Sequence, residues 1–302
     1  MSDCIVTAAI ELDYYQPEGY EASLTRGYEP SHYYAGIKSL DNLGKDVLVY
    51  TTEEIKKDIQ EKVPDLKNVK YVTYNYRILN PFYKEVFEYA KKVVDKKPSA
   101  VYGWNPMFAT SRFYILYDAS KKGYNNVLWM DAGLSNESYI PLEYGGTKHA
   151  YDMQDWNNYY PNNKNDIFHP CLGQRLFDIV SENSALLLGL KYINQEPAAL
   201  LEKYSGNEIP YWSMTGGFIG LTDLYLEDLY DFYSSGVEYF LKNYDLIFTE
   251  IEIFSMLNIK FDLPKISFSN FQLNEEEDSL FRLLRQKIYN EDEICYNNTY
   301  TR

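Results

Sequence analysis

Residues 125–133, which read NNVLWMDAG, decide the fold class of this 302-residue chain. The run of four apolar residues is typical of a central strand that is covered on both faces. Gly133 allows the backbone to turn sharply away at the end of that strand. Asp131 is therefore predicted at the carboxyl end of a strand, where open α/β sheets bind their ligands. The alternative interpretation is that Asp131 only begins a turn or caps the next element.

The first 133 residues alternate short apolar segments with helical patterns. Further strands are predicted at 4–10, 47–50 and 69–74, with a helix after each of them. This alternation is typical of βα units built on a largely parallel sheet. We therefore expect an α/β fold of the GT-A-like, Rossmann-related kind, with a mostly parallel central sheet flanked by helices.

Helix boundaries are marked by capping residues and glycines. Gly44 and Gly123 follow apolar helical stripes and are predicted to end helices. Thr51 begins a capping-box pattern that predicts a helix start. Asn80 and Asn105 each precede a proline, the arrangement of an N-cap followed by a first helical residue.

The chain length allows one elaborated domain, and we expect a single domain over residues 1–302. Residues 1–133 are predicted as the half that binds a ligand at the sheet. Residues 134–170, rich in Tyr, Asn, Asp and Gly, are predicted as a long irregular insertion or lid. Residues 171–268 are predicted as the second half, and 269–302 as a final helix and a polar tail.

Composition argues against several classes of protein. The formal net charge of −15 makes nucleic acid an unlikely partner, because backbone phosphates require clustered Lys and Arg. The three cysteines lie far apart and predict reduced thiols, without a disulfide framework or zinc site. No secretory leader or membrane span is evident, so we expect a soluble, cytoplasmic protein. The 32 tyrosines suit a sugar-binding surface, although a compositional bias of the genome would give the same number.

Arg112 is the most informative basic residue. It lies four residues after Phe108 and three before Ile115, which places it on the apolar stripe of a helix. A guanidinium that faces inward requires an anion, so a phosphate or a carboxylate such as Asp131 is expected beside it. The alternative is an arginine whose head reaches water.

Three further positions are candidates for a ligand site. Gly216 and Gly217 allow a close approach of backbone to a bulky ligand, although paired glycines also mark bulges. Glu250 follows the candidate cap Thr249 at a helix start, where a general base is favoured in its ionised form, although acids there often serve the helix alone. The sequence contains no nucleophile elbow, Walker loop or G-x-G-x-x-G fingerprint.

Several short segments, taken together, resemble the WlaTC/HtrL/YibB-like family, which is regarded as a family of GT-A-type glycosyltransferases. The matching segments are residues 6–8, 104–106 with Arg112, 129–133, 216–220 and 249–250. The resemblance implies an enzyme that transfers a sugar from a nucleotide-sugar donor to a hydroxyl acceptor, such as a glycan or a small molecule.

The resemblance also implies a role for each matching residue. Thr7 and Ala8 would border the nucleotide, and Asn105 and Arg112 would approach the donor. The donor would also contact the segment of Asp131, Ala132 and Gly133. Gly216 and Gly217 would lie beside the acceptor, and Glu250 and Asp131 would be the catalytic carboxylates.

The resemblance gives weaker support for a divalent metal than for a nucleotide-sugar donor. Asp131 would stand in the metal-binding D-x-D motif, but Gly133 occupies the position of the second Asp and no histidine follows His169. This departure puts the usual Mn²⁺ or Mg²⁺ in doubt. One carboxylate with diphosphate oxygens and water could still hold Mg²⁺, which keeps several waters by preference.

Two other functions agree with the same sequence. One is a non-catalytic module that binds sugars or another protein through the Tyr-rich segment, with Asp131 structural. The other is a transferase that glycosylates modified DNA, against which the acidic charge counts.

Overall fold

The computed structural model describes residues 2–9, 34–73, 75, 79–96, 106–132, 170–183, 185–191, 212–244 and 265–268. Within these residues, seven strands form one sheet, and the strands are β1 (Asp3–Ala9), β2 (Asp46–Thr51), β3 (Val69–Thr73), β4 (Asn126–Met130), β5 (Ala185–Lys191), β6 (Trp212–Thr222) and β7 (Lys265–Phe268). Six helices accompany them in the described part of the chain, namely α1 (Tyr34–Asp41), α2 (Glu53–Lys62), α3 (Tyr83–Lys96), α4 (Pro106–Ser120), α5 (Pro170–Asn183) and α6 (Asp223–Tyr244).

The strand order in the sheet is β3-β2-β1-β4-β6-β5-β7. Strands β1 to β4 run parallel to one another, and β5 and β7 point the same way. Only β6, among the described strands, runs in the opposite direction, between β4 and β5. The prediction of an α/β fold with a mostly parallel sheet flanked by helices is therefore confirmed.

The sheet is covered on both faces, which explains the apolar runs of its central strands. On one face, Val6 and Trp129 belong to a core formed with α3, α4 and α6. On the other face, Ile5 and Leu128 belong to a core formed with α1, α2 and α5. Strand β4 is buried along its whole length, as the apolar run predicted.

Helix ends follow most of the predicted signals. Gly44 and Gly123 adopt φ values of +69° and +94°, the left-handed conformation that glycine adopts without strain. Asn80 accepts a hydrogen bond from the Phe82 amide at 2.9 Å, as expected for a cap.

The capping prediction for Thr51 is wrong by one residue. Thr52 is the N-cap of α2, since its hydroxyl accepts from the Ile55 amide at 3.3 Å. Thr51 is the last residue of β2 and pairs with Ala9, to whose carbonyl its hydroxyl donates at 2.6 Å. Strand β2 therefore ends at Thr51, one residue later than predicted.

Helix α5 packs very closely against the end of α1. A Cβ atom added at Gly173 would lie 2.2 Å from the carbonyl oxygen of Leu43. This approach brings Gln174 within 2.7 Å of the Lys45 ammonium, so that α5 reaches the amino-terminal edge of the sheet.

The amino-terminal edge holds two sets of paired polar side chains, which we call the amino-edge network. In the first set, Lys45 donates to Asp3 at 2.8 Å, and Asn126 donates to Asp3 at 2.8 Å. In the second set, Lys70 and the Tyr124 hydroxyl donate to Asp46 at 2.5 and 2.9 Å. Each set joins the starts of neighbouring strands, and the network therefore stabilises this edge with groups of the protein itself.

The predicted insertion at 134–170 lies outside the described residues except for its last position, and the predicted C-terminal helix and tail at 269–302 lie outside them entirely. The division of the chain into two halves stays a prediction.

Candidate functional site

The order in which the chain adds strands to the sheet reverses between β1 and β4. The chain adds β2 and then β3 on one side of β1, and it places β4 on the other side. Such a switch point opens a crevice at the carboxyl ends of the two central strands, and open α/β sheets bind ligands there. Asp131 directly follows β4 and therefore lies at this switch point.

Arg112 reaches the switch point from α4. Its Nη2 atom lies 3.0 Å from Oδ2 of Asp131, and the two side chains are 11% and 21% exposed. The expected anion beside the guanidinium is thus Asp131, and the interpretation that the head of Arg112 is simply solvated does not hold. Opposite charges at this distance offset part of the cost of removing each from water.

Trp129 lies beneath the guanidinium. The Arg112 Cζ atom is 5.5 Å from the centre of the Trp129 ring, within the range of a cation–π interaction. Trp129 and Asp131 are two residues apart, so the alternation of a strand places both on the face that α4 covers. This spacing is the signal that could have identified Trp129, which the sequence reasoning did not single out.

Helix α4 is more deeply buried than the stripe pattern predicted. Six consecutive residues, 111–116, are all buried, and these cover more than a full helical turn. The helix packs on the sheet and against α3 and α6, with Phe113 and Tyr233 stacked at 4.9 Å. Arg112 is therefore held in a helical segment, 111–116, whose residues are all buried.

Thr7 lies at the same end of the sheet, on the opposite face. It is fully buried, and its hydroxyl accepts a hydrogen bond from the Ala132 amide at 3.1 Å. Ala8 is 6% exposed and pairs with Tyr50 of β2. The expectation that Thr7 and Ala8 border a nucleotide stays a prediction, and the Thr7 contact with Ala132 was missed by sequence reasoning.

Gly216 and Gly217 lie within β6, beside the end of β4. Phe218 pairs with Met130, the residue directly before Asp131. On the other side of β6 the pairing with β5 is irregular, since Leu187 pairs with Ile219 and Gly189 pairs with Met214. The glycines thus lie in the irregular segment, as the bulge interpretation expected, and their role beside an acceptor stays a prediction.

Three predicted site residues fall outside the described residues, namely Asn105, Gly133 and Glu250. Their roles stay predictions.

The described residues do not make up a protein-built metal site. No group of three or more His, Cys, Asp or Glu side chains that could hold a metal occurs among them. Asp131 contributes one carboxylate, and one of its oxygens already accepts from Arg112. Of the residues that the structure describes, Asp131 alone is thus a candidate ligand here, and a bound diphosphate and water would be further sources of oxygen ligands for a divalent ion.

Comparison with known proteins gives no family assignment. No protein-family model matches the chain, and no curated protein is significantly similar to it. Among the described residues, no helix combines the length and the apolar character that crossing a bilayer requires.

Several solved structures are similar to the chain at low identity. Mouse xyloside xylosyltransferase 1 in its apo form matches with a TM-score of 0.40 and 10% identity, over 89% of this chain and 85% of its own. The 4-diphosphocytidyl-2C-methyl-D-erythritol synthase of Anaerococcus prevotii matches at 0.37 and 12% identity, over 95% and 96%. The mannose-1-phosphate geranyltransferase of Thermus thermophilus matches at 0.33 and 12% identity, over 88% and 69%. Matches at this level do not assign an activity to this chain.

Proposed function

We propose that this chain is a glycosyltransferase that moves a sugar from a nucleotide-sugar donor to a hydroxyl acceptor. The observation that carries the proposal is the Arg112–Asp131 ion pair at the switch point of the sheet. Its position agrees with the general rule for ligand binding by open α/β sheets.

The ion pair suits the charges that develop in glycosyl transfer. Negative charge grows on the departing diphosphate, and positive charge grows at the anomeric carbon. A site must stabilise both with groups that are already in place. Arg112 offers a guanidinium whose fork fits phosphate oxygens, and Asp131 offers a carboxylate to the cationic centre.

The surroundings of the pair favour strong electrostatic interactions with a ligand. Both side chains are mostly buried, and Coulombic attraction is stronger where water is largely excluded. A bound diphosphate would share the Arg112 guanidinium with Asp131, so that donor binding and carboxylate orientation are linked.

The acceptor is proposed to lie along the Gly216–Gly217 segment, because Phe218, the next residue of β6, pairs with Met130, the residue before Asp131. Absence of side chains at both positions leaves room for a sugar or a similar hydroxyl compound. Glu250 is proposed, from the family resemblance, as the carboxylate that accepts the proton of the attacking hydroxyl. No step of this scheme requires a metal ion.

A thermal-shift experiment with a panel of nucleotide sugars tests the proposal. A donor at about 100 times its dissociation constant stabilises the folded protein by about 2.7 kcal/mol. We expect one UDP-, GDP- or other activated sugar to raise the melting temperature, and the matching free sugar to have no effect. Stabilisation by free glycans alone would instead identify a sugar-binding module.

A matched pair of variants links this stabilisation to the site. Arg112→Met and Lys45→Met each remove one charge from an ion pair of similar exposure, at opposite edges of the sheet. We expect the donor-induced shift to be lost in Arg112→Met and kept in Lys45→Met. Equal shifts in both variants would place the donor elsewhere.

A further inference from the structure

The ladder between β1 and β4 ends before β1 itself ends. The two strands pair from Asp3 with Asn126 as far as Val6 with Trp129. On its other side, β1 stays paired with β2 as far as Ala9. The main-chain pairing of β1 with β4 thus ends at the switch point, after Trp129.

Beyond the last pair of β1 and β4, a side-chain hydrogen bond from Thr7 connects the two segments. The Thr7 hydroxyl accepts from the Ala132 amide at 3.1 Å, and the bond is buried. That amide belongs to the peptide unit that also contains the carbonyl of Asp131. The hydrogen bond therefore fixes the orientation of this peptide and, with it, the backbone angle ψ of Asp131.

We propose that Thr7 is a positioning residue, whose hydroxyl orients Asp131 toward Arg112 and the donor. This inference rests on the proposed function for its catalytic consequence, since Thr7 acts through the peptide of Asp131. A displacement of about 1 Å at a reacting group can cost on the order of 100-fold in rate.

Thr51 offers a matched control. It is also fully buried, lies at the same edge of the sheet on the neighbouring strand, and donates its hydroxyl to the Ala9 carbonyl at 2.6 Å. Thr51→Val therefore removes a comparable buried hydrogen bond on the far side of β1, away from the peptide of Asp131.

The first test measures the coupling between Arg112 and Asp131, and it needs no substrate. Double-mutant cycles with Arg112→Met and Asp131→Asn, followed by urea unfolding, give this coupling as a ratio of equilibrium constants. We expect the ratio to fall at least about three-fold in a Thr7→Val background and to be unchanged in Thr51→Val. An unchanged ratio in both Thr7→Val and Thr7→Ala overturns the proposal.

The second test measures transfer by the folded variants. We expect Thr7→Val to lower kcat by roughly 10- to 100-fold, Thr7→Ser to restore it, and Thr51→Val to keep it. Equal losses in the two valine variants would overturn the positioning role, since these would reflect weakened packing alone. If the wild-type protein neither binds nor turns over any nucleotide sugar, the proposed function fails, and the coupling measurement still decides whether Thr7 positions Asp131.

Discussion

The two edges of the sheet each hold an ion pair of similar length and exposure. Asp3 and Lys45 meet at 2.8 Å with side chains 15% and 17% exposed, and Arg112 and Asp131 meet at 3.0 Å with 11% and 21%. The surroundings of the two pairs differ. Asp3 also accepts from Asn126, and Lys45 also donates to Gln174, so the first pair joins three parts of the fold.

The pair at the carboxyl edge has a different setting. Arg112 lies over the ring of Trp129, and Asp131 is placed where two central strands part. The comparison teaches that the geometry of an ion pair does not reveal its role. The two pairs differ in their position relative to the strand order, because the switch point, where open α/β sheets bind ligands, lies at the carboxyl edge.

The largest expected effect separates the two acidic residues. Asp131→Asn and Asp3→Asn should each lower the free energy of unfolding by about 1–2 kcal/mol, since each leaves a partly buried cation without its charged partner. Transfer should fall on the order of 1000-fold in Asp131→Asn alone, because the carboxylate is lost from the reacting centre. Urea unfolding and kcat/KM for the donor measure the two effects. Wild-type turnover by Asp131→Asn would remove Asp131 from the mechanism.

The next effect concerns the two basic residues. Arg112→Ala should raise the donor KM by roughly 10- to 100-fold, because a charge-assisted contact to the diphosphate is lost. Lys45→Ala should leave the donor KM unchanged, since the lysine belongs to the amino-edge network. Steady-state kinetics on both variants provide the comparison, and an unchanged donor KM in Arg112→Ala would contradict a donor contact.

Gly173 tests whether the amino edge is purely structural. Gly173→Ala should lower the free energy of unfolding by about 1–3 kcal/mol, because the new Cβ would collide with the Leu43 carbonyl. The kcat of the folded fraction should not change. Gly123→Ala is the control for backbone strain alone, since its Cβ meets nothing within 4 Å although φ is +94°. A lower kcat in folded Gly173→Ala would contradict a purely structural amino edge, and wild-type stability would contradict the collision with Leu43.

The smallest effect is the pH dependence of Lys70 in the amino-edge network. Its hydrogen bond to Asp46 raises the pKa of Lys70 above the ordinary value of 10.5. The protonated form is therefore favoured by folding, and its stabilisation is complete below the unfolded pKa and is lost as pH rises through the folded pKa. Melting temperatures of wild type and Lys70→Met should differ slightly at neutral pH and converge at strongly alkaline pH. A difference that persists there would show that Lys70 acts through packing.

Local signals in the sequence predicted much of the fold and the contact between Arg112 and Asp131. The apolar run before Asp131 predicted a buried strand, and the position of Arg112 in its helix predicted an inward guanidinium with an anion beside it. Both follow from periodicity and from the cost of burying an unpaired charge. Gly44 and Gly123 ended helices as expected, since few other residues adopt positive φ without strain.

Features that depend on the order of the strands were not predictable in this way. The Thr7 bond to Ala132 requires that β1 lie beside β4, across more than 120 residues of sequence. The close approach of Gly173 to Leu43 likewise depends on how α5 packs on α1. The local pattern at Thr51 predicts a helix cap. Its pairing with Ala9 of β1 instead keeps Thr51 in β2.

The burial of residues 111–116 of α4 has a consequence for the proposed function. A helical segment in a densely packed interior cannot rotate or slide without opening contacts on several sides. Under the proposed function, the Arg112 guanidinium therefore holds the donor at a fixed point, and tolerance for differently sized substrates comes from the rest of the crevice. Directed evolution toward new sugars should then begin away from this helix.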